Sequence, residues 1–437
     1  MKSTRSQFAY PSDLAEFVRR RLGEMRARSP ALSTLTEMIE VAFFASMKTE
    51  KAEPVLCNLC YLDIKNPDPA PPSRIVADRW SYVRYGTPII LNVKNLVKIS
   101  KSADSSAGAL AVYKTTDGKL VIWGAIDQQG QRASYATRES DVGPESPGVI
   151  QLSIAGIGLV EVYKDYTLLG ALRQGRLAHE FSDVLEQPGP IEVVLRSASR
   201  RVTHRVQAEV GTVVFHRRDH WEDSIFNYWR QTFCRILLSM QRYGHGGAIL
   251  ITPDESNTGL SIKYPVAYRR LGDALARLSI HTIQLCDAED MIGEQFLDTK
   301  QKSMPVHLYL DESVSGFEKN DTRDEVRGCV RFIASLSRVD GLIVMNREFA
   351  VRGYGGIIKT KKEPSSVWIA GDTKGSTGKL NEIDPSHFGT RHQSMMRICF
   401  GRPGSVGFVV SQDGDVRAMM RVQNKLIVWE DVKLRLS

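Results

Sequence analysis

Three short stretches near the C-terminal end carry residue types that could do phosphate and metal chemistry: Asp340-Gly341-Leu342, Gly389-Thr390-Arg391-His392 and Val409-Val410-Ser411-Gln412-Asp413-Gly414. In the first, a carboxylate stands between a helical pattern over 324–339 and an apolar strand pattern. The glycine after it lets the backbone come close, so Asp340 is placed to hold a divalent cation. Asp-Gly alone is also a common turn. The second stretch opens a helical pattern that runs to Phe400. Free N–H groups at a helix start, a hydroxyl, a guanidinium and an imidazole together suit a triphosphate. Each charge-assisted bond there is worth roughly 1.5–3 kcal/mol. The plainer reading makes Thr390 an N-cap, with Arg391 and His392 on a solvated first turn. The third stretch is a buried strand entering a tight turn. Ser411 and Asp413 emerge at its end, where sheets present ligand-binding side chains, or they simply build a hairpin.

These residues need elements to position them. Trp221, Ile225, Trp229, Phe233, Ile236 and Met240 form one stripe of a long amphipathic helix. Gly244 to Gly247 stops it, and a buried strand follows at 248–252. The pattern continues with a helix at 266–278, strands at 282–285 and 306–310, a helix lined by Val326, Val330, Ile333 and Leu336, and a strand at 341–345. This alternation predicts an α/β unit, a mixed sheet flanked by helices. Upstream, residues 12–48 read as helical, and Pro67, Pro69, Pro71 and Pro72 end that part. Residues 75–215 read as β-rich: 109–113 and 119–123 flank Asp117-Gly118 as a hairpin, and 149–154, 158–163 and 191–195 look like further strands. The expected domains are therefore a helical segment 1–74, a β-rich domain 75–215 and an α/β domain 216–437. Arg196, Arg200, Arg201 and Arg205 suit either an anion-binding surface or a solvated strand edge.

Composition narrows the class. The chain has 437 residues, 42% hydrophobic and 25% charged, with a net charge of +8. These are values of a globular protein of two or three domains, weakly inclined towards polyanionic partners. No apolar run reaches the roughly 18 residues of a membrane span, no signal peptide is visible, and six cysteines are scattered, so a cytoplasmic location is expected. Cys57-x-x-Cys60 lacks two further zinc ligands nearby and reads as buried thiols. Gly378-Lys379 lacks the glycine spacing of a P-loop, and Gly353-Tyr354-Gly355 lacks the third glycine of a dinucleotide-binding turn. Nucleic acid is not the expected partner, since the basic stretch from Arg196 to Arg218 has no stacking platform.

Taken together and in order, Gly247-Ala248-Ile249, Asp340-Gly341-Leu342, Gly389-Thr390-Arg391-His392-Gln393 and Val409-Val410-Ser411-Gln412-Asp413-Gly414 resemble the motifs of the diadenylate cyclase domain, "D-G-A", "G-T-R-H-R" and "V-V-S-E-E-x-G". The resemblance covers about 220–430, and the N-terminal region looks like the sensor domain of the DACNV type. It implies a fold of mixed sheet and helices and the condensation of two ATP into cyclic di-AMP and two diphosphates. The reaction would occur between head-to-head domains of a homo-oligomer, with Mg²⁺ or Mn²⁺ as cofactor and the N-terminal domain as regulator. By analogy Asp340, Gly341, Arg391 and His392 are catalytic. Leu342, Ile357, Gly389, Thr390, Arg391, His392, Gln393 and Ser411 line the nucleotide, and Asp340 and Asp413 hold the metal. Leu342, Gln393 and Gln412-Asp413 depart from the family pattern, and the stretch 359–388 is long. These departures motivate an alternative, a weakened cyclase-like domain that senses a nucleotide or cyclic dinucleotide.

Overall fold

The computed structural model describes residues 8–71, 73, 79–103, 105, 108–128, 134, 148–173, 175–178, 182–214, 218–253, 258–299, 301–364, 366–412 and 414–434. The chain divides into two compact units that meet in sequence at Phe181 and Ser182.

The first unit begins with α1 (Pro11–Glu24) and α2 (Leu32–Ser46), continues through the small hairpin β1 (Thr49–Glu50) and β2 (Glu53–Pro54), and contains α3 (Val93–Ile99). Its eight-stranded sheet comprises β3 (Cys57–Tyr61), β4 (Ser81–Ile90), β5 (Gly108–Lys114), β6 (Leu120–Asp127), β7 (Ile150–Gly156), β8 (Leu159–Lys164), β9 (Thr167–Arg173) and β10 (Arg176–Ala178), in spatial order β10-β9-β8-β7-β3-β5-β6-β4. The helix stripe Leu14, Val18, Leu22, Leu35, Met38 and Ile39 packs into one core with Leu59, Leu110, Leu152 and Val160 of the sheet. The helical segment is therefore not a separate domain; its apolar face is completed only by the strands that follow. Cys57 and Cys60 are both buried on β3. They fall into different core clusters on opposite sheet faces, as a spacing of three on a strand dictates, so they cannot clasp one ion. Burial pushes the Cys57 thiol up to about 12.

The second unit, Ser182–Leu434, is a nine-stranded sheet. Its helices are α4 (Pro190–Val214), α5 (Arg218–Arg242), α6 (Arg270–Ile292), α7 (Val306–Ser335) and α8 (Thr390–Gly401). The strands are β11 (Gly247–Thr252), β12 (Leu260–Tyr268), β13 (Leu342–Asn346), β14 (Val351–Ile358), β15 (Val367–Ala370), β16 (Leu380–Ile383), β17 (Val406–Val410), β18 (Val416–Val422) and β19 (Lys425–Trp429). They are ordered β12-β14-β13-β11-β17-β18-β19-β15-β16. Helices α4 to α7 cover one face through Leu195, Phe233, Leu275 and Val330 against Ile249, Ile343 and Phe408. Helix α8 covers the other, with Met395, Met396 and Cys399 against Ala248, Leu250 and Val409. The mixed α/β class is as the alternating pattern predicts.

Several expectations need correction. The runs at 191–195, 282–285 and 306–310 are helical, inside α4, α6 and α7. A four- or five-residue apolar run carries no period of its own; Ile191, Val194, Leu195 and Ala198 show the helical spacing only once their buried faces are known. The helix expected from Val266 starts at Arg270, because Val266 to Tyr268 finish β12. The domain boundary lies at 181 rather than 215, since α4 packs into the second core with Phe226 and Trp229. The arginine cluster lies on helix α4 and is no strand edge, and three of its four members pair with carboxylates. Arg196 pairs with Glu192 (2.6 Å) and Asp223 (2.8 Å), Arg205 with Asp273 (2.6 Å) and Arg201 with Glu348. The long stretch 359–388 adds β15 and β16 to the sheet. No helix of the described residues is long and apolar enough to cross a membrane.

Candidate functional site

The register of three adjacent strands decides where the chemistry-bearing residues sit. Parallel β11 and β13 align Ile249 with Ile343, and antiparallel β17 aligns Val410 with Gly247. Beyond these pairs β13 leads back to Gly341 and Asp340 and β11 to Gly246, at the end of the sheet where β17 runs out into Ser411.

Helix α8 brings the guanidinium to the same place. A Cβ built on Gly246 would lie 2.6 Å from Nη1 of Arg391, 3.0 Å from the Val410 carbonyl oxygen and 3.3 Å from the Gln412 nitrogen. Gly246 has φ +65°, so both conformation and space demand glycine there. Asp340, Thr390 and Arg391 are exposed. Among the described residues none of the three side chains has a hydrogen-bond or ion-pair partner. Among the described residues, then, a carboxylate and a guanidinium without partners face solvent, with the first N–H groups of α8 beside Arg391.

The Asp-Gly turn is fixed by a second close approach. Gly341 has φ +112°, and a Cβ there would be 2.6 Å from the Gly355 carbonyl carbon. This brings Asp340-Gly341 against Gly355-Gly356-Ile357, which lies on β14 with Ile357 56% exposed. Leu342 behaves otherwise. Its side chain is buried in the α8-side core and sits 3.0 Å from where a Gly356 Cβ would stand, so it packs beneath β14 instead of lining open space.

His392 is the buried member of the α8 opening, 9% exposed. Its Nε2 lies 3.3 Å from Nη1 of Arg417. Arginine only donates, so Nε2 is the acceptor and Nδ1 carries the proton of a neutral ring. Burial first, then the charges of Arg417 and Arg391, hold its pKa down to about 4. Arg417 is itself anchored on β18 by Glu430 at 3.1 Å. His392 is therefore neutral here, and it ties the start of α8 to β18 through Arg417.

Gln393 turns away from the sheet end. Its Nε2 donates to the carbonyls of Phe388 (2.7 Å) and Pro385 (3.2 Å), which clamps the stretch before α8. Gly389 is the N-cap of α8 and Thr390 its first residue, so the hydroxyl of Thr390 is not spent on capping. The Ser411 hydroxyl donates to the Asp415 carbonyl (3.3 Å) and accepts from the Asp415 N–H (3.0 Å), closing the β17–β18 turn. Asp413 lies outside the described residues. Among the described residues no group of three His, Cys, Asp or Glu side chains could enclose a metal ion. Asp340 alone fits a Mg²⁺ or Mn²⁺ that arrives with phosphates and keeps several waters, since such ions commonly use one or two protein carboxylates.

Gly246 and Arg417 were not singled out from sequence. A pair of left-handed glycines, Gly244 and Gly246, was the available signal for the first. Arg417 gave none, because its partner His392 comes from a different element.

Residues 24–127 match a family model described as "Probable sensor domain DACNV". The match runs from the end of α1 to the end of β6. No curated protein matches the chain.

Proposed function

We propose that the second unit condenses two ATP into cyclic di-AMP and two diphosphates, each copy supplying one nucleotide site. In each half of the reaction a 3′-oxygen attacks the α-phosphorus of the facing ATP. An O–P bond forms, the bond to the β-phosphate oxygen breaks, and the hydroxyl proton leaves to solvent. Such chemistry needs in-line placement and charge neutralisation more than a covalent partner. The observation that carries the reading is the approach of the exposed Arg391 guanidinium to Gly246, at the end of the sheet where exposed Asp340 leads into β13.

Arg391, with the N–H groups and hydroxyl at the start of α8, binds phosphate oxygens. Asp340 accepts a divalent cation, which when bound would offset phosphate charge and acidify the attacking hydroxyl. Gly355 to Ile357 border the nucleoside. One such set per chain faces solvent, so two ATP require two copies, head to head. The match to a sensor domain upstream supports regulation of this reaction by the first unit.

A second reading, a nucleotide-binding module without turnover, is favoured by one observation: Gln393, Ser411 and neutral His392 are all engaged within the fold. Incubation of the purified protein with ATP and Mg²⁺ or Mn²⁺, with mass spectrometry of the products, separates the two. Cyclic di-AMP is expected from the wild type and its loss from Asp340→Asn. Bound ATP with no product supports the module, and undiminished product from Asp340→Asn removes Asp340 from the mechanism.

A further inference from the structure

The N-terminal half of α7 carries an apolar stripe on its solvent side. Val306, Leu310, Val314 and Phe317 follow one another at spacings of four, four and three, which puts them on one face of the helix. They are 71%, 51%, 52% and 71% exposed. Tyr309 flanks the stripe and is exposed too. The helix turns its other side inward, with Leu308, Thr322, Val326, Cys329 and Val330 buried. His281 of α6 meets the Thr322 hydroxyl at 2.9 Å, and Arg270 and Arg277 of α6 hold Glu325 at 2.8 and 2.6 Å. Every residue from Tyr309 to Asp321 is exposed or partly exposed. Four large apolar groups in line on a solvent face mark an interaction surface rather than scattered exposure.

The charges at the two ends of the stripe select its occupant. Lys302 stands just before the helix. Beyond Phe317 the same stripe continues, at steps of four and three, through Asp321 and Asp324. Lys302 and Asp321 are exposed, and neither has an ion-pair partner among the described residues. A face that is basic at one end, apolar in the middle and acidic at the other complements itself when reversed. An antiparallel copy whose two-fold axis passes level with residue 312 sets Leu310 against Val314 of the second copy and Val306 against its Phe317. The same register brings Lys302 to Asp321, with His307 beside Glu318. Parallel pairing would instead set Asp321 against Asp321. An anionic membrane is disfavoured as the occupant, because Asp311, Glu318, Asp321 and Asp324 surround the stripe.

We propose that this face is a homotypic interface, covered by the same stretch of a second chain running antiparallel. The stripe ends at Phe317, roughly 27 Å along α7 from Ser335, beyond which the chain leads to Asp340. The contact is therefore separate from the head-to-head one that the proposed reaction needs, and it does not rest on that reaction. Two isologous contacts per chain would link copies into assemblies larger than a dimer. Three helical turns make a small interface, so the association is reversible and depends on concentration.

Sedimentation velocity of the full chain over a concentration series, without nucleotide, tests this. The wild type is expected to associate, and Phe317→Glu to halve the weight-average mass at the highest concentration. The unfolding temperature of that variant should be unchanged, since the side chain is exposed. Lys302→Glu and Asp321→Lys are each expected to weaken association, and the double variant to restore it. Oxidation of Ser313→Cys, beside the axis, is expected to give a cross-linked dimer. Asp324→Cys is expected to give none, because its two copies stand about 36 Å apart along the helices. A wild type that stays monomeric throughout overturns the proposal, as does undiminished association in Phe317→Glu. Equal cross-linking at both cysteine positions overturns the antiparallel arrangement.

Discussion

Protonation of His392 should destabilise the second unit, and the size of the effect follows from its surroundings. The folded pKa is about 4, against an ordinary value near 6.5, so as pH falls the unfolded chain takes up the proton first. The stability owed to neutral His392 is complete above about pH 6.5 and is lost between about 6.5 and 4. A gap of about 2.5 at about 1.4 kcal/mol per pH unit sets a ceiling of about 3.5 kcal/mol. Arg391 at the margin is exposed, and solvent screening there brings the expected loss to roughly 1–2 kcal/mol. The perturbation is His392→Gln, which keeps an acceptor for Arg417 and does not titrate. Urea unfolding of both proteins at about pH 7.5 and about pH 4.5 gives the comparison, because all other titrations cancel in the difference. The wild type should lose about 1–2 kcal/mol more than the variant on acidification. Parallel losses would refute the assignment of a buried neutral imidazole. Arg417→Met adds a second readout: the His392 titration followed by NMR should move up towards its ordinary value, and an unmoved midpoint would remove Arg417 as a cause.

Two further substitutions probe the geometry. Gly246→Ala places a methyl group 2.6 Å from the Arg391 guanidinium at φ +65°. It should cost about 1–2 kcal/mol in stability and reduce ATP binding measured by calorimetry; unchanged affinity with the expected stability loss would take Arg391 out of the nucleotide site. Leu342→Ala should cost about 2–5 kcal/mol through the cavity it leaves. Gly356→Ala should then be tolerated better in the Leu342→Ala background than alone, because its new methyl occupies the space vacated 3.0 Å away. Equal costs in both backgrounds, read from denaturant unfolding, would show that the two residues do not share that space.

Much of the local structure was legible because its signal is local. The Trp221-to-Met240 stripe, the buried strand at 248–252, the strand opening at Leu342 and the helix opening at Thr390 all stand where periodicity and the glycines place them. The short apolar runs at 191–195, 282–285 and 306–310 are ambiguous in sequence for the complementary reason. Each is too brief to show its own period, and the neighbours that bury one side of it lie far along the chain.

Sequence by itself determined which groups are available: one carboxylate before a glycine, one guanidinium and one hydroxyl at a helix start, and an α/β pattern able to carry them. Only the tertiary structure decided which of those groups remain for a ligand. The order of the strands brought Asp340, Gly246 and Ser411 to one end of the sheet, and a glycine without a side chain let Arg391 approach it. Burial under Arg417 made His392 neutral, while local bonds engaged Gln393 and Ser411. Charge, exposure and spare hydrogen-bonding capacity are properties of neighbours, and the neighbours here come from strands and helices separated by long stretches of chain.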